Sequence, residues 1–351
     1  MKKIILFFFA LLFFTDLSAQ DKHFTQFYAS PLTLNPALTG AYIGRYRLST
    51  IYRDQWRNVV ETPFRTFAAE LDVRFDVKTN SQYKDAAAVG LLFFRDKVTG
   101  IDFSTQQIAI SGAYHKGLDF DNRQFLTLGF QGGITQRNVN YEQLTFADQF
   151  NGINGYTFSS DENLPANNFS FGDLALGLNY AFNPKARTSL FVGAAMHHVF
   201  QPQISFYNEE LNNDNQPLGD ENLYSRYSVQ VTAELPLSSA FSISPRVLWA
   251  TQGPHMEINT GANVKMLLTD FNNNALYLGG WVRTVKNNDD ALGVDALVLM
   301  AGIAKGNFLF GFSYDANLRD LSTYNQGQGA FEVSISYFGD FEDDNVMCPR
   351  F

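Results

Sequence analysis

The sequence predicts an all-β protein, a transmembrane antiparallel β-barrel of about 14 strands with a periplasmic N-terminus. Three observations predict it. Apolar residues recur at every second position through long segments, the chain opens with an export-type leader, and the composition is aromatic but poor in charge. Of 351 residues, 17% are charged, 45% are hydrophobic and 15% are aromatic, with 34 Phe. Ordinary soluble domains carry about a quarter charged residues. The net charge of -9 argues against nucleic acid, which needs a clustered basic surface. A single Cys excludes a disulfide framework, Cys-rich zinc sites and iron–sulfur clusters.

Residues 1–19 read as a signal peptide. Lys2 and Lys3 form a positive start, Ile4 through Phe14 an apolar stretch, and Leu17-Ser18-Ala19-Gln20 a small-residue cleavage region. The apolar stretch is shorter than the about 20 residues a spanning helix needs. Beyond it, the longest apolar runs, Ala86–Phe94 and Ala296–Ala304, reach about half that length. A helical membrane protein is excluded, whereas barrel strands need only about 9–11 residues.

Residues 20–45 form an N-terminal segment that does not alternate. Pro31, Pro36 and the Asn35-Pro36 step force extended and turning backbone. Such a segment would line the periplasmic mouth of a barrel or plug its lumen.

The barrel proper is expected over 46–339. In Phe67–Val77, the residues Phe67, Ala69, Leu71, Val73, Phe75 and Val77 share one parity, and Glu70, Asp72, Arg74 and Asp76 share the other. A strand turns alternate side chains to opposite faces, so one face is apolar and the other polar. Tyr227, Val229 and Val231 alternate likewise with Ser228, Gln230 and Thr232, as do Phe331, Val333 and Ile335 with Glu332, Ser334 and Ser336. The strands so marked are 46–53, 64–76, 86–95, 102–115, 124–137, 169–182, 188–199, 223–235, 240–252, 255–267, 274–285, 293–303, 307–316 and 329–339. Alternation by itself fits a soluble sandwich as well as a barrel. Strand length, the leader, glycines suited to a lumen and aromatics near strand ends (Trp56, Phe64, Phe125, Tyr180, Trp249, Trp281, Phe338) favour the barrel.

Connections alternate in length, short ones on one side and longer ones on the other, apart from the tight Gly253-Pro254 pair. Two long loops stand out, 138–168 and 200–222, rich in Asn, Gln, Gly and acids. Phe150, Tyr156, Phe158, Phe206 and Tyr207 on these loops are candidate partner-binding anchors. The tail 340–351 carries an acidic spacer and then Cys348-Pro349-Arg350-Phe351. Pro349, Arg350 and Phe351 offer a turn, a cation and an aromatic anchor for docking.

No phosphate-cradling loop, HExxH or GxSxG occurs, so the chain is expected to be non-enzymatic, without cofactor or metal. His197 and His198 are adjacent in an expected strand. Their rings should face opposite sides, one to the lumen and one outward, and not clamp a metal together.

Gln26-Phe27-Tyr28, Pro31 and Leu34-Asn35-Pro36-Ala37-Leu38-Thr39-Gly40 resemble the start of mature PorP/SprF-family proteins of the type IX secretion and gliding systems. Tyr52-Arg53-Asp54-Gln55-Trp56, Leu144-Thr145-Phe146-Ala147-Asp148-Gln149, Asn307-Phe308 with Gly311-Phe312-Ser313-Tyr314-Asp315, and the closing Cys348-Pro349-Arg350-Phe351 extend the similarity to the last residue. The resemblance implies a non-catalytic outer-membrane barrel of Bacteroidetes-type bacteria. It would support secretion, or surface attachment of a large adhesin carrying a type IX C-terminal secretion domain, or would contact components of the secretion machinery. The alternative function is an outer-membrane channel for a small or hydrophobic solute.

Overall fold

The computed structural model describes residues 23–56, 63–77, 83–98, 102–206, 222–269, 274–286, 291–318 and 329–340. The expected leader and the tail beyond Asp340 lie outside these residues. Fourteen strands follow one another: β1 (Tyr46–Gln55), β2 (Phe64–Val77), β3 (Asp85–Val98), β4 (Phe103–Gly117), β5 (Gln124–Asn138), β6 (Asn168–Lys185) and β7 (Thr188–His197). Then come β8 (Arg226–Pro236), β9 (Phe241–Gln252), β10 (His255–Thr269), β11 (Asn274–Lys286), β12 (Leu292–Lys305), β13 (Phe308–Asn317) and β14 (Ala330–Gly339). Each pairs antiparallel with its chain neighbours, and β1 closes on β14 from Tyr46↔Gly339 to Gln55↔Ala330. Closure leaves no strand edge, which is the condition for a sheet to cross lipid.

The parity question is settled by burial. On β2, Leu71 and Phe75 are 43% and 52% exposed, while Glu70, Asp72 and Arg74 are 2%, 0% and 3% exposed. The apolar parity is outermost and the polar parity is inside, the reverse of a soluble sandwich. The same inversion holds on β4, where Ile108 and Ile110 are exposed and Gln107, Ser111 and His115 are buried.

Three expected girdle aromatics instead face inward. Trp281 shares the inner parity of Arg283, and its ring occupies the space a side chain at Gly261 would need. Phe125 packs against Ala181 and Phe191 within the wall's inner surface. The Phe338 ring lies 6.3 Å from that of Tyr42. Nearness to a strand end indicates membrane depth, but parity decides which side of the wall a ring takes.

The histidine expectation is also corrected. β7 ends at His197, and His198 adopts a left-handed φ of 56°. The turn breaks the alternation, so both imidazoles are buried. His197 Nε2 donates to Leu34 O at 3.2 Å, and His198 Nδ1 lies 2.9 Å from Asp173 Oδ2.

Connections 139–167 and 198–225 are the long ones and lie at the same barrel end, with Gly253-Pro254 also on that side. The opposite end has short turns, such as 186–187 between β6 and β7 and 306–307 between β12 and β13.

Candidate functional site

The lumen is occupied by the protein's own N-terminal segment. Residues 23–42 lie inside the barrel, against the inward-facing residues of its strands. Prolines keep the segment from pairing as a strand, because they lack the N–H and fix φ. It folds as short turns instead: a 3-10 turn at Phe27–Ala29, a single α-turn at Pro31–Leu34 and another 3-10 turn at Pro36–Leu38. Asn35 caps the last by accepting the Ala37 N–H at 2.9 Å. Two glycines make room for it. A Cβ at Gly129 would overlap the Pro36–Ala37 backbone, and one at Gly177 would overlap Asn35 Oδ1.

The plug starts near the long-connection end and finishes at the short-turn end, where Tyr42 meets Arg45 at the start of β1. Near the first end, Thr25 sits among four charged wall residues. Glu332 accepts the N–H groups of Thr25 and Gln26, each at 2.8 Å, and takes Arg53 Nη1 at 2.6 Å. The Thr25 hydroxyl donates to Asp315 Oδ2 at 2.7 Å and accepts from Arg53 and Arg283 at 3.0 and 3.2 Å. Asp315 also pairs with Arg283 at 2.8 Å. The two buried arginines are thus matched by two buried carboxylates, the arrangement under which interior charge is tolerated.

Midway, Glu70 takes over a role that helix caps usually perform. Ser30 makes no side-chain cap to its own turn. Its hydroxyl donates to Glu70 Oε1 at 2.5 Å, and the Leu32 and Thr33 N–H groups donate to the same carboxylate at 3.2 and 3.3 Å. A wall residue therefore satisfies the orphan donors of the plug's first turn. Asn35 Nδ2 donates to Leu178 O and Ala194 O, both at 3.2 Å.

At the short-turn end, Arg47 grips Asp72 with two N–H groups at 2.9 and 2.7 Å, and Asp72 accepts the Gly40 N–H at 2.7 Å. His115 Nε2 donates to Thr39 O at 2.8 Å while its Nδ1 faces Thr127 Oγ1 at 2.8 Å. An imidazole serving a carbonyl on one side and a hydroxyl on the other is held in one tautomer. Apolar packing completes the fit: Phe27 meets Trp281 edge-on at 5.5 Å and Tyr28 stacks on it at 5.9 Å.

The predicted partner anchors lie on the long connections. Phe150 and Tyr156 form an isolated antiparallel bridge with rings 5.4 Å apart. Phe158 N–H donates to Gln149 O at 3.1 Å, so the three aromatics belong to one small hairpin. Its tip is fixed by Asn151, whose Oδ1 accepts from the N–H groups of Ile153, Asn154 and Gly155 at 3.0, 3.0 and 3.2 Å. This Asx-type turn presents Ile153, 85% exposed, which sequence reasoning missed. Asp148 clips the base. The Asp161 N–H, followed by the Ser160 hydroxyl, donates to its carboxyl and holds it below the usual aspartate range.

Phe206 is apart from this hairpin. Its ring meets Phe169 edge-on at 4.8 Å and Phe103 at 6.2 Å, making an aromatic cluster at the barrel mouth. Tyr207, Pro349, Arg350 and Phe351 lie outside the described residues, as does Cys348.

Sequence reasoning did not identify the plug's anchors as such. Glu70, Asp72, Arg283, Asp315 and Glu332 carried a signal nonetheless: each is a charge at inward parity within a spanning strand, and such charges need partners.

Solved outer-membrane barrels are among the structures similar to this chain, all at very low identity. The Ralstonia pickettii toluene transporter TbuX is 10% identical, with 90% of this chain and 94% of that chain covered and a TM-score of 0.48. A Pseudomonas aeruginosa FadL homologue is 10% identical, with 86% and 92% covered and a TM-score of 0.48. The translocator domain of the autotransporter NalP from Neisseria meningitidis is 11% identical, with 89% and 96% covered and a TM-score of 0.36. A search of curated proteins gives no match. The profile described as type IX secretion system membrane protein PorP/SprF matches residues 16–337, nearly the whole barrel and its plug, and the chain belongs to that family.

Proposed function

We propose that this outer-membrane barrel is a non-enzymatic support for type IX secretion that holds a secreted adhesin at the cell surface. The adhesin would carry a type IX C-terminal secretion domain. In this reading a cleaved leader, residues 1–19, exports the chain, the short-turn end faces the periplasm, and the long connections face outward.

The observation that carries the reading is the filled lumen. Residues 23–42 are tied to the wall along its length by hydrogen bonds, several of them to buried wall carboxylates, which favours a scaffold over an open solute channel. The binding surface is then the long-connection end, where the 148–161 hairpin offers Phe150, Ile153, Tyr156 and Phe158 on a pre-ordered turn. Apolar anchors held rigid before contact lose little entropy on binding.

Affinity purification of the tagged protein from its own outer membrane, in mild detergent, tests this. Expected is a stoichiometric large surface protein, lost when 151–165 is deleted although the barrel still inserts. Retention after the deletion overturns the hairpin as the binding surface. Recovery of secretion-machinery components instead of an adhesin overturns the anchoring role and leaves a secretion-core one.

A further inference from the structure

The plug meets one part of the inner wall mainly by apolar packing on Leu248 and one long hydrogen bond, from the Ser228 hydroxyl to Leu34 O at 3.4 Å. On β8, β9 and β10, Thr232 lies directly opposite Arg246, Gln230 opposite Leu248, and Leu248 opposite Asn259. Cross-strand geometry places such neighbours within about 5–8 Å of one another. Gln230, Thr232 and Asn259 are all buried. The guanidinium of Arg246 lies 4.1 Å above the ring of Tyr28, on the plug.

Within this patch buried polar atoms lack partners. They are Arg246 Nε and Nη1, Asn259 Nδ2, both amide atoms of Gln230, and Thr232 Oγ1. Buried groups of this kind are normally satisfied by protein, water or an ion. Their balance is uneven. The arginine and amide nitrogens can only donate and the Thr232 hydroxyl can donate, while the obligate acceptors are Gln230 Oε1 and, beside it across Gly193, Asn179 Oδ1. Arg246 also differs from three other lumen arginines. Arg47, Arg53 and Arg283 each reach a carboxylate at 2.7, 2.6 and 2.8 Å. Among the described residues no carboxylate oxygen lies within 4.0 Å of Arg246.

We propose that Arg246, Thr232, Gln230 and Asn259, covered by Tyr28, form a binding site for a small monovalent anion, a halide or a formate-sized carboxylate. An acceptor-rich anion satisfies the surplus donors and neutralises a guanidinium that no carboxylate touches among the described residues, which favours it over water. The occluded setting of the donors restricts the occupant to small size and couples its entry to displacement of Tyr28. Binding therefore braces the plug against the β8–β10 wall, where its hydrogen bonding is otherwise sparse.

The test uses the full-length protein in detergent, exchanged into gluconate, an anion too large for the site. Chloride, bromide or formate is then titrated at constant ionic strength while thermal unfolding is followed. The expected result is a midpoint that climbs by several degrees with the logarithm of anion concentration, and a flat response in Arg246→Gln. Formate acting where halides do not, or the reverse, assigns the anion's source. Should Arg246→Gln fail to fold, Thr232→Val with Asn259→Leu provides the second variant, and bromide anomalous scattering from crystals of the unaltered protein locates the ion directly. A flat wild-type midpoint, an equal climb in the variants, or bromide absent from the patch overturns the proposal.

Discussion

Replacing Arg53 by Met should loosen the plug while leaving the barrel closed. Arg53 is buried, and its Nη1 reaches Glu332 Oε1 at 2.6 Å, Thr25 Oγ1 at 3.0 Å and Asp315 Oδ2 at 3.2 Å. Without it, Asp315 keeps Arg283 at 2.8 Å, but Glu332 keeps only the plug's N–H donors and hydroxyl or amide neighbours. Removing one partner of a buried ion pair costs about 3–5 kcal/mol. Because Arg283 still balances one carboxylate, the lower figure applies. With the plug displaced, water reaches Glu332 and relieves that penalty, so the cost falls on the plugged state and not on the wall. About 3 kcal/mol is a shift of roughly 100-fold in the ratio of unplugged to plugged barrels. Single-channel recording in planar bilayers reads the ratio directly. The unaltered protein should open rarely, Arg53→Met roughly 100-fold more often, and a barrel lacking 23–42 continuously. If Arg53→Met opens no more often than the unaltered protein and its plug resists protease equally, the latch reasoning is wrong.

Further consequences follow from the same geometry. Gly177→Ala puts a methyl group against Asn35 Oδ1 and should destabilise the plugged barrel by about 1–3 kcal/mol, seen as a lower temperature for heat-modified migration on gels; an unchanged temperature contradicts the close fit. Leu299→Arg on the outer face of β12 should weaken folding into liposomes by about 2–4 kcal/mol, whereas Leu292→Arg at the strand's first residue should cost about 0–1; equal effects would argue against the lipid belt. The depressed Asp148 carboxyl sets a pH window for the loop clip. It is intact above the ordinary aspartate value of about 3.9 and is lost as pH falls through the lower native value. Limited proteolysis should nick 149–160 only in strong acid, and Asp148→Ala should be nicked at neutral pH.

The wall was legible because lipid and lumen impose a period of two on every strand. All fourteen strands were found, and β2 was bounded to within one residue (64–76 expected, Phe64–Val77 observed). Losses came where a local rule met a tertiary one. The strand expected to run to 199 stops at His197, because His198 turns left-handed to reach Asp173. Trp281 read as a girdle ring because its position near a strand end is visible in sequence. The emptiness of Gly261 across the pair, which draws the ring inward, depends on β10–β11 register and is not.

The plug's partners were harder to read for a related reason. Thr25 joins Arg53, Arg283, Asp315 and Glu332, residues up to 307 positions away, and no spacing in a single sequence encodes that meeting. Yet the same residues violate what a strand in lipid can hold unaided. Glu70, Asp72 and Arg74 share the polar parity of β2, and Glu70 and Asp72 direct much of their hydrogen bonding to Ser30, Leu32, Thr33 and Gly40 of the plug. A charge left facing an open pore would be hydrated and need no such partner. A carboxylate enclosed with backbone N–H donors aimed at it implies a chain segment built to supply them. The non-alternating, proline-broken stretch before β1 is that segment: its prolines keep it out of a ladder, and the backbone N–H groups so freed are the ones that Glu70 and Glu332 accept.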